Sequence, residues 1–184
     1  ATFAGTDRPV PSGPCSRPWQ QAIDQGMNEA PWLTGEKRGL VTLLLSSYQR
    51  AFGRPLMACE RSRQSTRLAC QELFACGFPV LSHGTGSDPV ITYGNAAALQ
   101  LWGLRWEQLV GMPSRLTAPE EERRERQTAL IEAQTKEAIR GYSGTRISHG
   151  GRRFQIRDAR IWTLWDEENR RCGQAACFCD WWWS

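Results

Sequence analysis

The sequence has little of several features that define whole classes of proteins. It contains no run of about 18 apolar residues and no opening basic stretch followed by an apolar one, so we expect neither a membrane span nor a secretory signal, and a cytoplasmic location. Only two residues are lysine, and the net charge of +4 is too small to indicate nucleic-acid binding. We therefore expect no membrane partner and no nucleic-acid partner.

The cysteines lack the patterns of a disulfide framework or of a structural zinc site. There are seven of them, an odd number, and no Cys-x-x-Cys pair occurs. Cys177 and Cys179 lie two residues apart and would share one face of a strand, with Cys172 nearby, which leaves a metal or redox site as an alternative. Because free cysteine is itself a common core residue, we expect a reduced protein with no metal and no other cofactor.

What is present is the composition of one globular domain. Of the 184 residues, 40% are hydrophobic and 23% are charged, so the chain has enough apolar surface to fold around one core. Residues 1–30 begin with a stretch rich in proline and glycine and are predicted to be a flexible tail. We expect a single domain over 31–184, with a helical extension at about 36–76 and a core at about 78–182.

Helix signals occur at several places along this domain. Apolar residues recur every three or four positions between 36 and 52 and predict a buried helical face, and a weaker pattern predicts a second helix over 60–76. Asn95 precedes three alanines and is predicted to cap a third helix. Thr117 has the spacing of a capping box, so we expect a long helix from about residue 119 whose charged residues form a solvated face.

The stretch SHGTGSD, residues 82–88, combines serine, histidine and aspartate around two glycines. Because short alternating segments flank it, the stretch predicts a turn between two paired strands. Adjacent residues of an extended segment point to opposite faces, so Ser82 and His83 are poorly placed for proton transfer, although an enzyme that uses Ser82, His83 and Asp88 stays as an alternative. His83 and His149 both fall in glycine-rich turns, where we expect exposed side chains that do not bind haem.

The last third of the chain predicts three strands, at 142–148, 153–165 and 172–182. Residues 159–165 are apolar on both faces, so helices or a partner must cover the outer face of the sheet. In the terminal tryptophan run, Trp182 faces away from Trp181 and Trp183, which indicates that the first helix or a second copy of the chain covers one side.

The order of these elements and several motifs resemble a known family. The segment PVITYGN, residues 89–95, resembles the core pattern of PAS domains. SHGTGSDPVITYGNAAAL, PSRL at 113–116, YSGTRIS at 142–148 and GQAA at 173–176 resemble the MEKHLA domain, a PAS-related family, over residues 31–182. The resemblance implies an α+β fold with a five-stranded antiparallel sheet and helices packed on it, no catalytic activity, and a sensory or regulatory role.

Light-sensing PAS relatives that bind flavin use the cysteine of a Gly-x-Asn-Cys-Arg motif to form a covalent adduct with it. The similar stretch here is GMPSR, residues 111–115, with Ser114 in the place of the thiol. The resemblance therefore implies no covalent flavin adduct, while noncovalent flavin binding stays open.

The usual ligand site of a PAS domain lies between the sheet and the helices. The apolar candidates to line it are Tyr93, Leu101, Trp102, Leu116, Ile147, Phe154 and Ile156. A packed core uses the same residue types, and no converging polar residues indicate a ligand, so we expect a packed or nearly packed interior. The sequence thus predicts a noncatalytic sensory or regulatory module that acts through a protein partner or a homodimer, with an apolar small molecule as an optional ligand.

Overall fold

The computed structural model describes residues 29–57 and 65–184. The predicted tail falls almost wholly outside the described residues, as does the beginning of the second predicted helix. Of the helices that the structure describes, none combines the length and the apolar character needed to cross a bilayer.

Two helices precede the sheet, α1 (Gly35–Phe52) and α2 (Thr66–Ala75). The side chain of Thr34 accepts a hydrogen bond from the backbone N–H of Lys37 at the start of α1, and Gly53 ends the helix with a φ of 69° that suits glycine. Helix α1 confirms the prediction for 36–52 to within one residue at its start. Its buried face, as the spacing predicted, includes Val41, Leu44, Tyr48 and Phe52.

The remaining elements follow in the predicted order. They are β1 (Val80–His83), β2 (Ile91–Gly94), α3 (Ala96–Trp102), α4 (Trp106–Leu109), two 3₁₀ turns (Ser114–Thr117 and Glu120–Glu122), α5 (Arg123–Lys136), β3 (Ala138–Ile147), β4 (Arg153–Trp165), β5 (Arg171–Cys177) and β6 (Asp180–Trp183).

The strands form one antiparallel sheet in the order β2-β1-β5-β4-β3, which confirms the predicted α+β fold. Strands β1 and β2 pair directly, so residues 84–88 form the predicted turn, with Gly86 at a φ of 114°, whereas Ser82 and His83 are the last residues of β1. The single last strand expected at 172–182 is divided. Its first part, β5, pairs with the C-terminal half of β4, and its second part, β6, pairs with the N-terminal half.

Both faces of the sheet carry a hydrophobic core. Helices α1 and α2 build the first core on one face, and α3 and α4 contribute to the second core on the other. The cover expected over 159–165 is helix α1: the indole Nε1 of Trp162 donates to the carbonyl of Leu44 at 3.2 Å, and the backbone N–H of Trp165 donates to Ser47 Oγ at 3.0 Å. This helix does not cover the whole outer face, since Trp182 is 46% exposed.

The long helix α5 begins later than the capping-box spacing predicted. The hydroxyl of Thr117 donates to the carbonyl of Ser114 at 2.7 Å and does not cap a helix. Glu122, one of the charged residues expected on the solvated face of that helix, accepts instead from the backbone N–H of Thr145 at 2.8 Å and from the hydroxyl of the same residue. A bond to β3 has therefore replaced the local capping arrangement, and the regular helix begins at Arg123.

Candidate functional site

An internal cavity of about 50 Å³ lies between the sheet and α5. We call it the inner cavity. It is lined by residues of β1, α3, α5 and the strands β3, β4 and β5, and by Phe178, which follows β5. Trp102, Ile156, Ala159 and Phe178 are among those that give it a largely apolar wall. A cavity needs roughly 10–15 Å³ of such volume to hold one water molecule, so this one has room for a few water molecules or for a molecule of a few heavy atoms.

A second, more open pocket of about 290 Å³ lies between the β1–β2 turn and α5. We call it the outer pocket. His83, Arg126, Leu130 and Gln174 line both this pocket and the inner cavity, so their side chains form the wall between the two. The sequence prediction that His83 is exposed in a mobile turn is wrong, because it belongs to β1 and is only 8% exposed.

Two arginines make the inner cavity electropositive. Arg126 and Arg146 both line it, whereas no aspartate or glutamate does. Burial and the nearby charge of Arg146 lower the pKa of Arg126 to about 10, which leaves its guanidinium positive at neutral pH. Arg146 is buried, donates through Nη1 to the carbonyl of Thr145 at 2.8 Å, and lies 5.3 Å from the ring centroid of Tyr142.

Three neutral side chains around the inner cavity carry buried polar atoms that lack a hydrogen-bond partner among the described residues. They are Nε2 of His83, Oε1 of Gln174 and Nε1 of Trp102. His83 Nδ1 lies 2.8 Å from the carbonyl of Gly84, which can only accept, so Nδ1 carries the proton and Nε2 is an acceptor in the neutral ring. Burial, with a smaller contribution from Arg126, lowers the pKa of His83, so the neutral form prevails.

The position of Arg146 depends on a glycine in the same strand. A Cβ atom added at Gly144 would lie 2.8 Å from the Tyr142 hydroxyl and 3.3 Å from Arg146 Nη1. Because Gly144 has no side chain, the phenol and the guanidinium can occupy that space. The Tyr-x-Gly-x-Arg spacing of β3 thus places both groups beside the inner cavity.

Of the seven apolar residues predicted to line a ligand site, Trp102 and Ile156 line the inner cavity. Leu101 and Phe154 lie in the second core, where Phe154 packs edge-on against Trp102 at 5.1 Å. The other three lie elsewhere: Tyr93 in the first core, Leu116 on the surface at 39% exposure, and Ile147 at the end of β3 opposite Arg153.

The residues that sequence reasoning missed are the polar ones, His83, Arg126, Arg146 and Gln174. The expectation that no polar groups converge in the interior is therefore wrong. The sequence does contain a signal for Arg146. Tyr142, Gly144 and Arg146 lie two residues apart in a predicted strand, so they are expected on the same face of the sheet.

The residues of the alternative enzymatic site are each engaged with other partners. Ser82 Oγ lies 2.8 Å from Thr92 Oγ1, His83 bonds the carbonyl of Gly84, and Asp88 forms an ion pair with Arg115 at 3.1 Å. Ser114, which stands where light-sensing relatives have their cysteine, is buried and lines the outer pocket.

The cysteines of the alternative metal or redox site differ in burial. Cys177 is buried in the first core, where burial raises its pKa to about 12, Cys172 is half-buried, and Cys179 is exposed. The predicted common strand face is interrupted, because β5 ends at Cys177. Within residues 29–57 and 65–184, no group of three or more His, Cys, Asp or Glu side chains is arranged to hold a metal ion.

Comparisons with known proteins agree with this architecture. The sequence model of the MEKHLA domain matches residues 38–183. No curated protein has detectable similarity to the chain. Among solved structures, a PAS domain from Colwellia psychrerythraea superimposes with a TM-score of 0.55 at 13% identity, covering 62% of this chain and 94% of that one.

Two light-oxygen-voltage proteins are also similar in fold. One is an RNA-binding light-oxygen-voltage receptor, with a TM-score of 0.58 at 14% identity, where the match covers 69% of this chain and 36% of the receptor. The match therefore spans about a third of that receptor. The other is a light-oxygen-voltage domain studied with a flavin analogue, with a TM-score of 0.50 at 16% identity, covering 61% of this chain and 82% of that one.

Proposed function

The chain belongs to the MEKHLA domain family, and from that premise we propose that it is a noncatalytic sensory or regulatory PAS-like module that binds a small molecule in the inner cavity. The observation that carries the proposal is the cavity itself, which is bordered by buried polar atoms that lack hydrogen-bond partners among the described residues. Protein interiors leave few such voids, and an unpaired buried polar atom costs roughly 1–3 kcal/mol. A bound molecule supplies the missing contacts.

Native mass spectrometry after incubation with a pooled extract of small metabolites tests this proposal. We expect a low-mass adduct on the wild-type protein and none on Ala159→Leu, because Ala159 lines the inner cavity and a larger side chain there fills it. Ala97→Leu, a change of the same size on α3 outside the cavity lining, is the matched control and should keep the adduct. Absence of any adduct on the wild-type protein, or its persistence on Ala159→Leu, contradicts the proposal.

We further propose that the module acts through protein contacts made by its terminal tryptophans, with a second copy of the chain as the first partner to test. Trp181 and Trp182 are 36% and 46% exposed, and the guanidinium of Arg157 lies 5.6 Å from the Trp182 ring. Exposed tryptophan and arginine are typical of the residues that dominate protein interfaces. Light scattering should give a dimer mass for the wild-type protein and a monomer mass for Trp182→Ser, and a wild-type monomer would count against the homodimer.

A further inference from the structure

We propose that the ligand of the inner cavity is a small organic carboxylate, with its anionic group bound by Arg126 and Arg146 and its apolar body against Trp102 and Ile156. This inference rests on the proposed function and adds to it the chemical class of the ligand.

The first argument is the balance of charge. Two guanidinium groups line one cavity that has no acidic residue in its wall, and Arg126 forms no hydrogen bond or ion pair with another residue in the described part of the chain. Arg146 is buried and Arg126 is half-buried, and charges withdrawn from water without a counter-ion are costly, more so when two like charges lie together. Since no protein carboxylate balances them, the arrangement favours an anionic ligand over a neutral one.

The second argument is the kind of anion. Arginine presents a planar fork of N–H donors that matches a carboxylate or a phosphate, so the guanidinium groups alone allow either. The rest of the wall is mostly apolar, with the three aromatic side chains Trp102, Tyr142 and Phe178 and with aliphatic ones, among them Ile156. Inorganic phosphate would leave that surface uncovered, whereas an organic acid buries its apolar part there.

The third argument is size and access. The inner cavity of about 50 Å³ admits a body of only a few heavy atoms. Arg126 lies at the wall shared with the outer pocket, which Arg123 and Arg115 also line. Asp88 lines that pocket too and is paired with Arg115. The three arginines outnumber the one carboxylate, so the pocket carries net positive charge, which favours the approach of an anion over that of a cation.

The test compares acids with their neutral counterparts. Acetate and propionate, which fit a cavity of this size, are titrated into the protein alongside acetamide and propionamide, and binding is followed by calorimetry and by tryptophan fluorescence, to which Trp102 contributes. We expect at least one acid to bind the wild-type protein at least tenfold more tightly than its amide. Arg126→Gln should remove this preference, and Arg124→Gln, on the exposed side of the same helix, should retain it.

A second readout needs no ligand. If Arg126 serves to bind an anion, its charge is unbalanced in the ligand-free protein. Replacing Arg126 by glutamine removes that charge, so the melting temperature of the ligand-free protein should rise. A purely structural arginine would lower the melting temperature when replaced. Arg124→Gln is again the control, with little change expected.

The outcomes separate the two proposals. Amides that bind as tightly as the acids overturn the carboxylate inference and leave the proposed function standing. Tighter binding of inorganic phosphate than of either acid overturns the inference as well. If neither acid binds and Arg126→Gln melts below the wild-type protein, the inference fails, and the adduct experiment decides the proposed function independently.

Discussion

Asn95 connects three segments through one fully buried side chain. Its Oδ1 accepts from the backbone N–H groups of Val80 at 2.9 Å and Ala98 at 3.1 Å, and its Nδ2 donates to the carbonyl of Phe78 at 2.8 Å. We expect Asn95→Ala to lower the free energy of unfolding by about 3 kcal/mol, because it removes a helix cap and leaves buried backbone groups unpaired. Urea denaturation measures this loss.

The matched control for this prediction is another helix cap. Ser65 caps α2 with a bond to the Leu68 N–H at 3.3 Å but lies on the surface. Ser65→Ala should therefore cost only about 1 kcal/mol. Equal losses for the two variants would show that the buried bonds of Asn95 add nothing to its role as a cap.

The buried imidazole of His83 makes stability depend on pH. Burial lowers its pKa below the ordinary value of 6.5, with Arg126 acting in the same direction and the carbonyl of Gly84 in the opposite one. The unfolded chain therefore binds a proton between pH 6.5 and the lower folded pKa, and the folded protein does not. Stability is complete above pH 6.5 and should fall as the pH decreases through this window.

Urea denaturation at pH 7.5 and at pH 5.5 checks this dependence. His83→Gln cannot be protonated and should lose less stability between the two pH values than the wild-type protein. His149→Gln, at an exposed position, is the control and should behave as the wild type. An unchanged wild-type stability over this range would be incompatible with a buried neutral His83.

Single residues were predictable where the signal is local. Asn95 stands directly before a run of alanines, and a cap of that kind needs only its neighbours to form. Arg126 lies in a charged stretch typical of a solvated helix, and its role depends on which face of α5 packs on the sheet. Because that orientation is tertiary, the sequence pattern could not place Arg126 in the cavity wall.

At the scale of elements, Gly173 of β5 lies directly against the backbone of β1 at His83. A Cβ atom there would overlap the backbone carbonyl of His83, which cannot move without disturbing the pairing of the two strands. We expect Gly173→Ala to lower the free energy of unfolding by about 2 kcal/mol in urea denaturation. Gly77→Ala, where a Cβ meets no atom within 4 Å, is the control and should change stability by less than about 0.5 kcal/mol.

The sequence predicted the elements better than their ends. The helix α1 and the order of strands follow from apolar periodicity and turn residues, which act over a few positions. The 3₁₀ turn at Glu120–Glu122 and the late start of α5 follow from the bond between Glu122 and Thr145, 23 positions apart in the chain. The interruption between Cys177 and Asp180 equally depends on which residues of β4 lie opposite.

At the scale of the whole molecule, one sheet carries two cores, so both should unfold together. Leu44 belongs to the first core and Phe154 to the second, and both are fully buried. We expect Leu44→Ala to cost about 3 kcal/mol and Phe154→Ala about 4 kcal/mol, each shifting the same single transition. Far-UV circular dichroism and tryptophan fluorescence should report coincident urea curves.

Leu116→Ala is the control for this prediction, since Leu116 is 39% exposed and its truncation should be nearly neutral. Two separate transitions in either core variant would mean that the helical layer of α1 and α2 unfolds independently of the rest of the sheet.

The side-chain wall formed by His83, Arg126, Leu130 and Gln174 has a kinetic consequence. A molecule can pass between the inner cavity and the outer pocket only when these side chains move aside, together with helix α5, which carries Arg126 and Leu130. Such motions of packed elements take microseconds to milliseconds. Binding to the inner cavity and release from it should therefore both be slower than diffusion would allow. Under the proposed function, the cavity would keep its small molecule through brief falls in supply, and the protein would report the average concentration of that molecule.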